Sequence, residues 1–318
     1  MTDRSPHPPG LPMAVPQPGL PERVRVYEVG PRDGLQAERT VLSADTKVEL
    51  IGRLVAAGLG TVEATSFVNP ARVPQMADAS AVLGALDTAS GTRHPVLVPN
   101  LRGLDDALAA GAREIAVFLS VTESFSRANL GRPRAEAEAE AARVVARARQ
   151  EGLAVRGYLS MVFGDPWEGP VPIGEVVAAT RRLRDLGAES VSLGDTIGVG
   201  TPGHVKALVA ALDGAGVPLR SLALHAHDTY GQALANVYAA LEAGVSEFDA
   251  STGGVGGCPF ARSATGNLAT EDLVWMLRGL GIETGVDLDA LVQTSTWLAA
   301  HLGRPSPSRV VAALKERK

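Results

Sequence analysis

The 318-residue sequence contains little cysteine, little lysine and few aromatic residues. Its single cysteine, Cys258, has no partner for an intrachain disulfide, so a disulfide-stabilised secreted domain is excluded and a reducing cytoplasm is expected. The formal net charge of −5 argues against nucleic acid as the main partner. No apolar run approaches the roughly 20 residues that span a bilayer, so no membrane partner is expected either.

The first 22 residues differ in character from the rest of the chain. They hold seven prolines and show almost no hydrophobic periodicity. They lack the charged-then-apolar pattern of a signal peptide, and their acidic residues are unusual for a transit peptide. We therefore expect a disordered leader at this end.

From residue 24 onward, short apolar runs alternate with stretches of helical character. Strands are predicted at 24–29, 61–67, 95–99, 114–119, 155–162, 190–193, 222–227 and 247–251. Helices are predicted at 44–57, 74–86, 104–110, 134–151, 173–186, 202–213, 232–243 and 270–280. Eight strand–helix units predict a parallel sheet closed into a (β/α)8 TIM barrel of the α/β class.

Two further helical segments, 287–302 and 307–316, are too small for an independent domain. We therefore divide the chain into a leader (1–22), a catalytic barrel (23–285) and C-terminal helices packed on the barrel (286–318). The main alternative fold is a doubly wound open sheet. The turn at 30–34 (GPRDG) argues against it, because it lacks the G-x-G-x-x-G pattern of a dinucleotide loop.

The strand predicted at 222–227 ends in a His-Ala-His pattern. Residues i and i+2 of a strand point to the same face, so His225 and His227 are a natural pair of metal ligands. Asp33 follows the first predicted strand, and Asn267 follows the last, at the rim where barrels carry their chemistry. This set of oxygen and nitrogen ligands favours Mg²⁺ or Mn²⁺, while two histidines leave Zn²⁺, Co²⁺ and Fe²⁺ open.

Arg32 places a fixed cation beside the proposed metal. A cation and a divalent metal together can polarise a carbonyl group and stabilise an enolate. Glu63, on the second predicted strand, is a candidate to orient Arg32 through a bidentate ion pair. The alternative for Glu63 is an ion pair with a purely structural role inside the barrel.

Cys258 lies in a glycine-rich loop after the eighth predicted strand (253–259, GGVGGCP). A single cysteine is often only a small buried hydrophobic residue. In such a loop at the rim it is also a candidate proton donor or nucleophile. The glycines could instead bind phosphate through backbone N–H groups, or act as hinges of a closing loop.

The four lysines narrow the choice of chemistry. Barrel enzymes that break carbon–carbon bonds can use a lysine Schiff base. The lysines here fall in predicted helices or in the C-terminal tail, and none follows a predicted strand; they are Lys47, Lys206, Lys315 and Lys318. A metal-dependent route to the cleavage of a carbon–carbon bond therefore remains.

Taken together, these segments closely resemble the 3-hydroxy-3-methylglutaryl-CoA lyases, from about residue 24 to residue 286. The resemblance is carried by 28–36 (EVGPRDGLQ), 192–202 (SLGDTIGVGTP), 225–232 (HAHDTYGQ), 256–260 (GGCPF) and 266–272 (GNLATED). It implies a metal-dependent barrel enzyme that cleaves 3-hydroxy-3-methylglutaryl-CoA to acetoacetate and acetyl-CoA. The wider group includes isopropylmalate and homocitrate synthases.

The resemblance also implies roles for individual residues. Asp33, His225, His227 and Asn267 would bind Mg²⁺ or Mn²⁺. Asp33, or a water on the metal, would take the proton of the substrate hydroxyl, and His225 counts among the catalytic residues. Arg32 would stabilise the thioester enolate, oriented by Glu63, and Cys258 would protonate that enolate or relay the proton. Substrate contacts would come from Arg32, Ser66, Asn129, Asp195 and Thr196.

Two segments depart from the family pattern. Members often read F-x-A-A-S-E where this chain has FLSVTE (118–123), and C-x-x-G-C-P-Y-E-G where it has MVFGDPWEG (161–169). These loops could touch the acyl chain or coenzyme A, so a related 3-hydroxy-3-alkylglutaryl-CoA stays an alternative substrate.

Two other classes of enzyme are alternatives. A condensing synthase usually carries a regulatory domain that this chain is too short to include. A metal-dependent amidohydrolase usually has its H-x-H pattern on the first strand rather than the seventh. For partners we expect an acyl-CoA substrate and a second copy of the chain in a homodimer.

Overall fold

The computed structural model describes residues 11–87, 91–257 and 266–315. Eight parallel strands form one sheet in the order β1-β8-β7-β6-β5-β4-β3-β2. In chain order these strands are β1 Arg25–Glu28, β2 Thr65–Ser66, β3 Val96–Leu97, β4 Glu114–Ser120, β5 Ala154–Ser160, β6 Ser190–Asp195, β7 Leu222–Ala226 and β8 Glu247–Ala250. Parallel neighbours of this kind require a crossover between consecutive strands.

The sheet closes between β1 and β2. Glu28 forms a parallel bridge with Val62. The amide of Glu28 donates to the carbonyl of Thr61 at 3.1 Å, and the amide of Glu63 donates to the carbonyl of Glu28 at 2.8 Å. The predicted TIM barrel is therefore confirmed, and its closure brings the carboxyl ends of all eight strands to one rim.

A helix of six or more residues follows each barrel strand, two more follow at the C-terminal end of the described chain, and a three-residue helix, Glu123–Phe125, lies after β4. The longer helices are α1 Ala44–Ala56, α2 Ala79–Gly84, α3 Leu101–Ala109, α4 Arg134–Gln150, α5 Ile173–Leu186, α6 Pro202–Gly214, α7 Ala233–Glu242, α8 Thr270–Gly279, α9 Leu288–Leu302 and α10 Arg309–Lys315. Their buried side chains form one large apolar layer with the outer face of the sheet.

Several predicted boundaries are wrong. The helix predicted at 74–86 is a 3-10 turn, Pro74–Met76, followed by α2. Helix α3 begins three residues earlier than predicted because Asn100 Oδ1 accepts the amide of Gly103 at 2.9 Å as an N-cap. Strand β5 ends at Ser160, two residues before its predicted end, and a hairpin that pairs Gly164–Asp165 with Gly169–Pro170 follows it.

The barrel interior is mostly polar. Its apolar part is a small cluster of Leu97, Ala116 and Tyr158, with Phe118 packed against it. The buried charged residues Arg156, Glu247 and Asp249 are linked by ion pairs inside the ring. A buried charge is tolerated only when it is paired, so these strands carry their own counter-charges.

Both ends of the described chain contact the barrel. Helix α9 packs on α1, and α10 packs on α8 and α9. At the other end, the amide of Val15 donates to the carbonyl of Gly279 at 2.9 Å, and Tyr238 donates to Gln17 at 2.5 Å. Residues 11–22 are thus held by contacts, and residues 1–10 of the expected leader lie outside the described residues. The division of the chain into three parts stays a prediction.

Within residues 11–87, 91–257 and 266–315, no helix is long and apolar enough to cross a bilayer.

Candidate active site

Three of the four predicted metal ligands converge at the carboxyl-terminal rim. One oxygen of Asp33 and one ring nitrogen each of His225 and His227 lie within 4.8 Å of one another. The Nε2 atoms of the two histidines are 3.1 Å apart, and His225 Nε2 is 3.9 Å from Asp33 Oδ2. The fourth residue, Asn267, donates from Nδ2 to Asp33 Oδ2 at 2.9 Å.

The turn that carries Arg32 and Asp33 has a specific local cause. Residues Gly30–Gly34 form one π-helical turn with proline near its start. The carboxylate of Glu28 accepts the amide of Gly30 at 2.7 Å, and the carbonyl of Val29 accepts the amide of Gly34 at 3.1 Å. A Cβ at Gly34 would lie 2.6 Å from Val255 Cγ2, so only glycine fits against the neighbouring loop.

Electrostatics favour an ionised Asp33 next to a neutral His227. Burial would raise the pKa of Asp33, but Arg32 and the two histidines lower it to about 2. Burial and the neighbouring His225 lower the pKa of His227 to about 3. Burial would also lower the pKa of His225, yet its hydrogen bond to Asp249 and the charge of Asp33 raise it above the ordinary value.

Arg32 is held from two sides. Its Nε donates to Glu63 Oε2 at 2.7 Å, and its Nη1 donates to Asp33 Oδ1 at 2.7 Å. The guanidinium lies 5.1 Å from the ring centroid of Tyr158, whose hydroxyl donates to Glu63 at 3.0 Å. Burial opposes the charge of Arg32, but the two carboxylates outweigh it and raise the pKa of Arg32.

The donor set fits a metal ion. It offers one carboxylate, two imidazoles and one amide, which is the chemistry of divalent-metal sites. Within the described chain, Asn267 Oδ1 and His227 Nδ1 are buried without a hydrogen-bond partner. A buried polar atom without a partner is costly, and a cation would satisfy the amide oxygen.

A cavity of about 660 Å³ opens next to this cluster. Arg32, Asp33, His225, His227, Asn129 and Thr196 line it. Glu63 and Asn267 lie behind that lining layer, in contact with Arg32 and Asp33 respectively. The volume suits a ligand the size of a short acyl chain with part of a carrier.

Two predicted substrate contacts lie elsewhere. Ser66 is fully buried, its hydroxyl has no partner within the described residues, and it does not line the cavity. Asp195 accepts the amides of Val199 at 2.9 Å and Gly200 at 3.0 Å, so its carboxylate holds its own loop. Burial raises the pKa of Asp195 to about 6.

Cys258 lies outside the residues that the structure describes. The loop that leads to it is described as far as Gly257, which lines the cavity. Gly254 and Gly256 have φ of 68° and 107°, and the amide of Gly256 approaches Glu38 at 3.4 Å. These left-handed conformations favour glycine and explain why the loop is rich in it.

Sequence reasoning missed the residues beneath the site. Asp249 accepts from His225 Nδ1 at 3.2 Å and from Ser192 Oγ at 2.7 Å. A signal existed, because Glu247 and Asp249 are acids two residues apart on a buried strand and so face the same side. Tyr158 and Arg156 gave no local signal, since their partners come from distant strands.

Comparisons with known proteins agree with this architecture. The HMGL-like family model matches residues 23–298. The mitochondrial hydroxymethylglutaryl-CoA lyase of Gallus gallus is 47% identical over 294 residues, covering 92% of this chain and 98% of that protein. The Arabidopsis thaliana protein of that name is 50% identical over 299 residues, covering 94% of this chain and 64% of that protein, so this chain spans under two thirds of its length.

Solved structures show the same likeness. The hydroxymethylglutaryl-CoA lyase of Pseudomonas aeruginosa superimposes with a TM-score of 0.91 at 45% identity, covering 94% of this chain and 100% of that one. The lyase of Acinetobacter baumannii, solved with coenzyme A and 3-methylmalate, gives a TM-score of 0.88 at 37% identity, covering 94% and 97%. The family match, these identities and the shared barrel together establish that this chain belongs to the HMGL-like family.

Proposed function

We propose that this protein cleaves 3-hydroxy-3-methylglutaryl-CoA to acetoacetate and acetyl-CoA. The observation that carries the proposal is the convergence of Asp33, His225 and His227 beside the guanidinium of Arg32 at one barrel rim. The hydroxyl at C3 loses its proton and becomes a ketone. The C2–C3 bond breaks, its electron pair forms the thioester enolate, and a proton added at C2 yields acetyl-CoA.

A divalent cation, Mg²⁺ or Mn²⁺, is the proposed cofactor. Asp33, His225, His227 and Asn267 would hold it, since they bring carboxylate, imidazole and amide donors together at the cavity. Bound there, the cation would supply Lewis acidity that makes the C3 hydroxyl easier to deprotonate.

Asp33 is the proposed proton acceptor. Its pKa of about 2 makes it a weak base alone, so the acidity of the hydroxyl must be enhanced. His225 Nε2 lies 3.9 Å from the same carboxylate, and His225 is proposed to act in catalysis as a ligand of the cation. Arg32, locked by Glu63, would stabilise the negative oxygen of the enolate.

The remaining roles are assigned by position. Asn129 and Thr196 line the cavity and are proposed to contact the substrate. We propose that Asp195 shapes the site through its loop amides and that Ser66 supports the wall from behind. Cys258 is proposed to deliver the proton to C2, because the loop before it borders the cavity at Gly257.

The segments that depart from the family pattern support the methyl-bearing substrate. Thr122 Oγ1 donates to Asp165 at 2.6 Å, which joins the two altered loops to each other. Neither residue lines the cavity. Phe118 is the residue of these two segments that lines the cavity as described, and it matches the family pattern. The relatives named as lyases give no support to a condensing synthase.

The assembly, the division of the chain and its compartment are proposed as well. We propose a homodimer and a three-part chain of leader, barrel and C-terminal helices. Relatives are named both mitochondrial, as in Gallus gallus, and cytoplasmic, as in Rattus norvegicus. The reducing environment suggested by the single cysteine favours the cytoplasm for this chain.

The proposal is tested by assaying purified protein for release of acetyl-CoA, the product that every substrate of this type would give. The substrates are 3-hydroxy-3-methylglutaryl-CoA and its 3-ethyl and 3-propyl analogues, each with and without Mg²⁺ or Mn²⁺. We expect the methyl substrate to be cleaved fastest, activity to disappear with a chelator and Mn²⁺ to restore it. Cleavage without a metal would contradict the proposed cofactor, and the absence of cleavage with every substrate would contradict the proposed function.

A further inference from the structure

The two histidines of the rim are supported unequally. The Nδ1 N–H of His225 donates to Asp249 Oδ2 at 3.2 Å. His227 Nδ1, in contrast, is buried without a partner in the described part of the chain. One imidazole is therefore fixed by a charged acceptor behind it, and the other has no such support.

Asp249 is itself fixed on all sides. Ser192 Oγ donates at 2.7 Å to the same oxygen that His225 contacts. The other carboxylate oxygen pairs with the guanidinium of Arg156, which is 3% exposed and lies 3.9 Å from the ring centroid of Tyr27. Asp249 is fully buried, so neither rotation nor solvent can displace its carboxylate.

We propose that Asp249 is a positioning residue for the metal centre, which keeps the proton of His225 on Nδ1 and presents Nε2 as the metal-binding nitrogen. The inference rests on the proposed function. The geometry supports it, because the Nε2 of His225 is the atom that meets His227 at 3.1 Å and Asp33 at 3.9 Å. A carboxylate behind a ligating histidine fixes both its tautomer and its ring orientation.

The chain offers a matched control for this role. Glu247 lies two residues before Asp249 on β8, is also buried, and also pairs with Arg156. The described contacts of Glu247 include Arg25 and Arg156 but no histidine. Neutralising either acid therefore unbalances Arg156, while only the change at Asp249 alters the support of His225.

The experiment compares Asp249→Asn with Glu247→Gln in the full-length protein. Metal-free protein is titrated with Mn²⁺, and free Mn²⁺ is followed by its electron paramagnetic resonance signal. We expect Asp249→Asn to weaken Mn²⁺ binding by roughly 10- to 100-fold. Glu247→Gln should stay within about threefold of wild type, and thermal melts of the metal-free proteins should report similar destabilisation of both variants.

The Mn²⁺ titrations test the role of Asp249 separately from the existence of the metal centre. Equal Mn²⁺ affinity in Asp249→Asn and wild type, or an equal loss in both variants, overturns the proposal. If wild type itself binds no Mn²⁺, the metal centre of the proposed function fails instead. If Asp249→Asn does not fold, Ser192→Ala is the substitute, because it removes the hydrogen bond that Ser192 donates to Asp249. A loss of Mn²⁺ affinity of roughly three- to tenfold supports the role of Asp249, and unchanged Mn²⁺ affinity contradicts it.

Discussion

At the residue scale, the site depends on how one cation is held. Arg32 contacts Asp33 and Glu63 at 2.7 Å each, and its side chain is 7% exposed. A planar guanidinium can bind two carboxylates in fixed directions at once, which a compact ammonium group does not reproduce. The position of its charge next to the cavity therefore follows from the shape of arginine as well as from its sign.

The contacts of the guanidinium with two carboxylates predict the effect of Arg32→Lys. The charge is retained, but the fork that spans Asp33 and Glu63 is lost, so stabilisation of the enolate should weaken. We expect kcat to fall by roughly 10²- to 10³-fold with a smaller change in KM. Steady-state kinetics measure this, with the exposed Arg53→Lys as control, and a kcat within threefold of wild type would contradict the role.

Cys258 gives a second prediction at this scale. Its proposed task is proton delivery after the carbon–carbon bond has broken, and it is not one of the proposed metal ligands. We expect Cys258→Ala to lower kcat by roughly 10²-fold or more while Mn²⁺ affinity stays unchanged. Kinetics and Mn²⁺ titration are measured on the same preparation, and wild-type turnover would remove Cys258 from the mechanism.

At the element scale, two buried glutamates join the loops of the rim. Glu28, at the end of β1, accepts the amides of Gly30 at 2.7 Å and Thr252 at 2.8 Å. Glu271, in α8, accepts the amide of Gly253 at 2.9 Å and the hydroxyl of Ser295 in α9. These contacts tie the Arg32–Asp33 turn and the glycine-rich loop to neighbouring elements.

Burial gives these carboxyl groups a consequence for stability. Desolvation raises the pKa of Glu28 to about 7 and that of Glu271 to about 8, against an ordinary value of 4.5. Between pH 4.5 and pH 8 the folded protein therefore binds protons that the unfolded chain has released. The stability that these groups contribute is complete below pH 4.5 and is lost as the pH rises through 7 to 8.

The substitution Glu271→Gln should reduce the dependence of folding stability on pH. The amide keeps an acceptor oxygen for Gly253 but does not ionise, so the variant should gain stability relative to wild type between pH 5 and pH 8. We expect the difference in unfolding free energy to shift by a few kcal/mol over that range. Urea denaturation at both pH values measures it, and an equal difference at both would contradict the raised pKa.

At the scale of the whole molecule, the C-terminal helices share the main apolar core. Leu288 and Leu291 of α9 are fully buried in the same layer as Leu50 and Leu54 of α1. Ser306 donates to the carbonyl of Gly253 at 2.9 Å, so the segment after α9 also reaches the glycine-rich loop. These contacts indicate that the tail folds together with the barrel.

We therefore expect one unfolding transition that includes both parts. Leu291→Ala removes buried apolar contacts and should cost about 2–5 kcal/mol of unfolding free energy. The whole transition should move to lower urea concentration in circular dichroism and in tryptophan fluorescence, to which Trp167, Trp275 in α8 and Trp297 in α9 contribute. Leu291→Met is the control of similar volume, and two separate transitions would indicate an independent tail.

Short-range sequence patterns predicted some features of the fold and of the site, while other features depend on contacts that form only in the folded chain. The alternation of strands and helices, the spacing of His225 and His227, and the Arg32–Asp33 turn are short-range features, so they predicted the barrel and its rim. Helix starts such as that of α3 were missed because they depend on a single capping bond at Asn100. Whether Asp195 faces the ligand or its own loop depends on folded amides, which no local pattern encodes.

The sequence by itself determined the fold class, the pairing of His225 with His227 on one strand face and the family resemblance, because each depends on residues close together in the chain. Only the tertiary structure decided which groups lie behind them. Asp249 contacts His225 across β8 and β7, and Tyr158 reaches Glu63 across the barrel. These contacts join residues 24 and 95 positions apart. Parallel pairing of β7 with β8 places Asp249 beside His225, and the curvature of the barrel brings Tyr158 to Glu63.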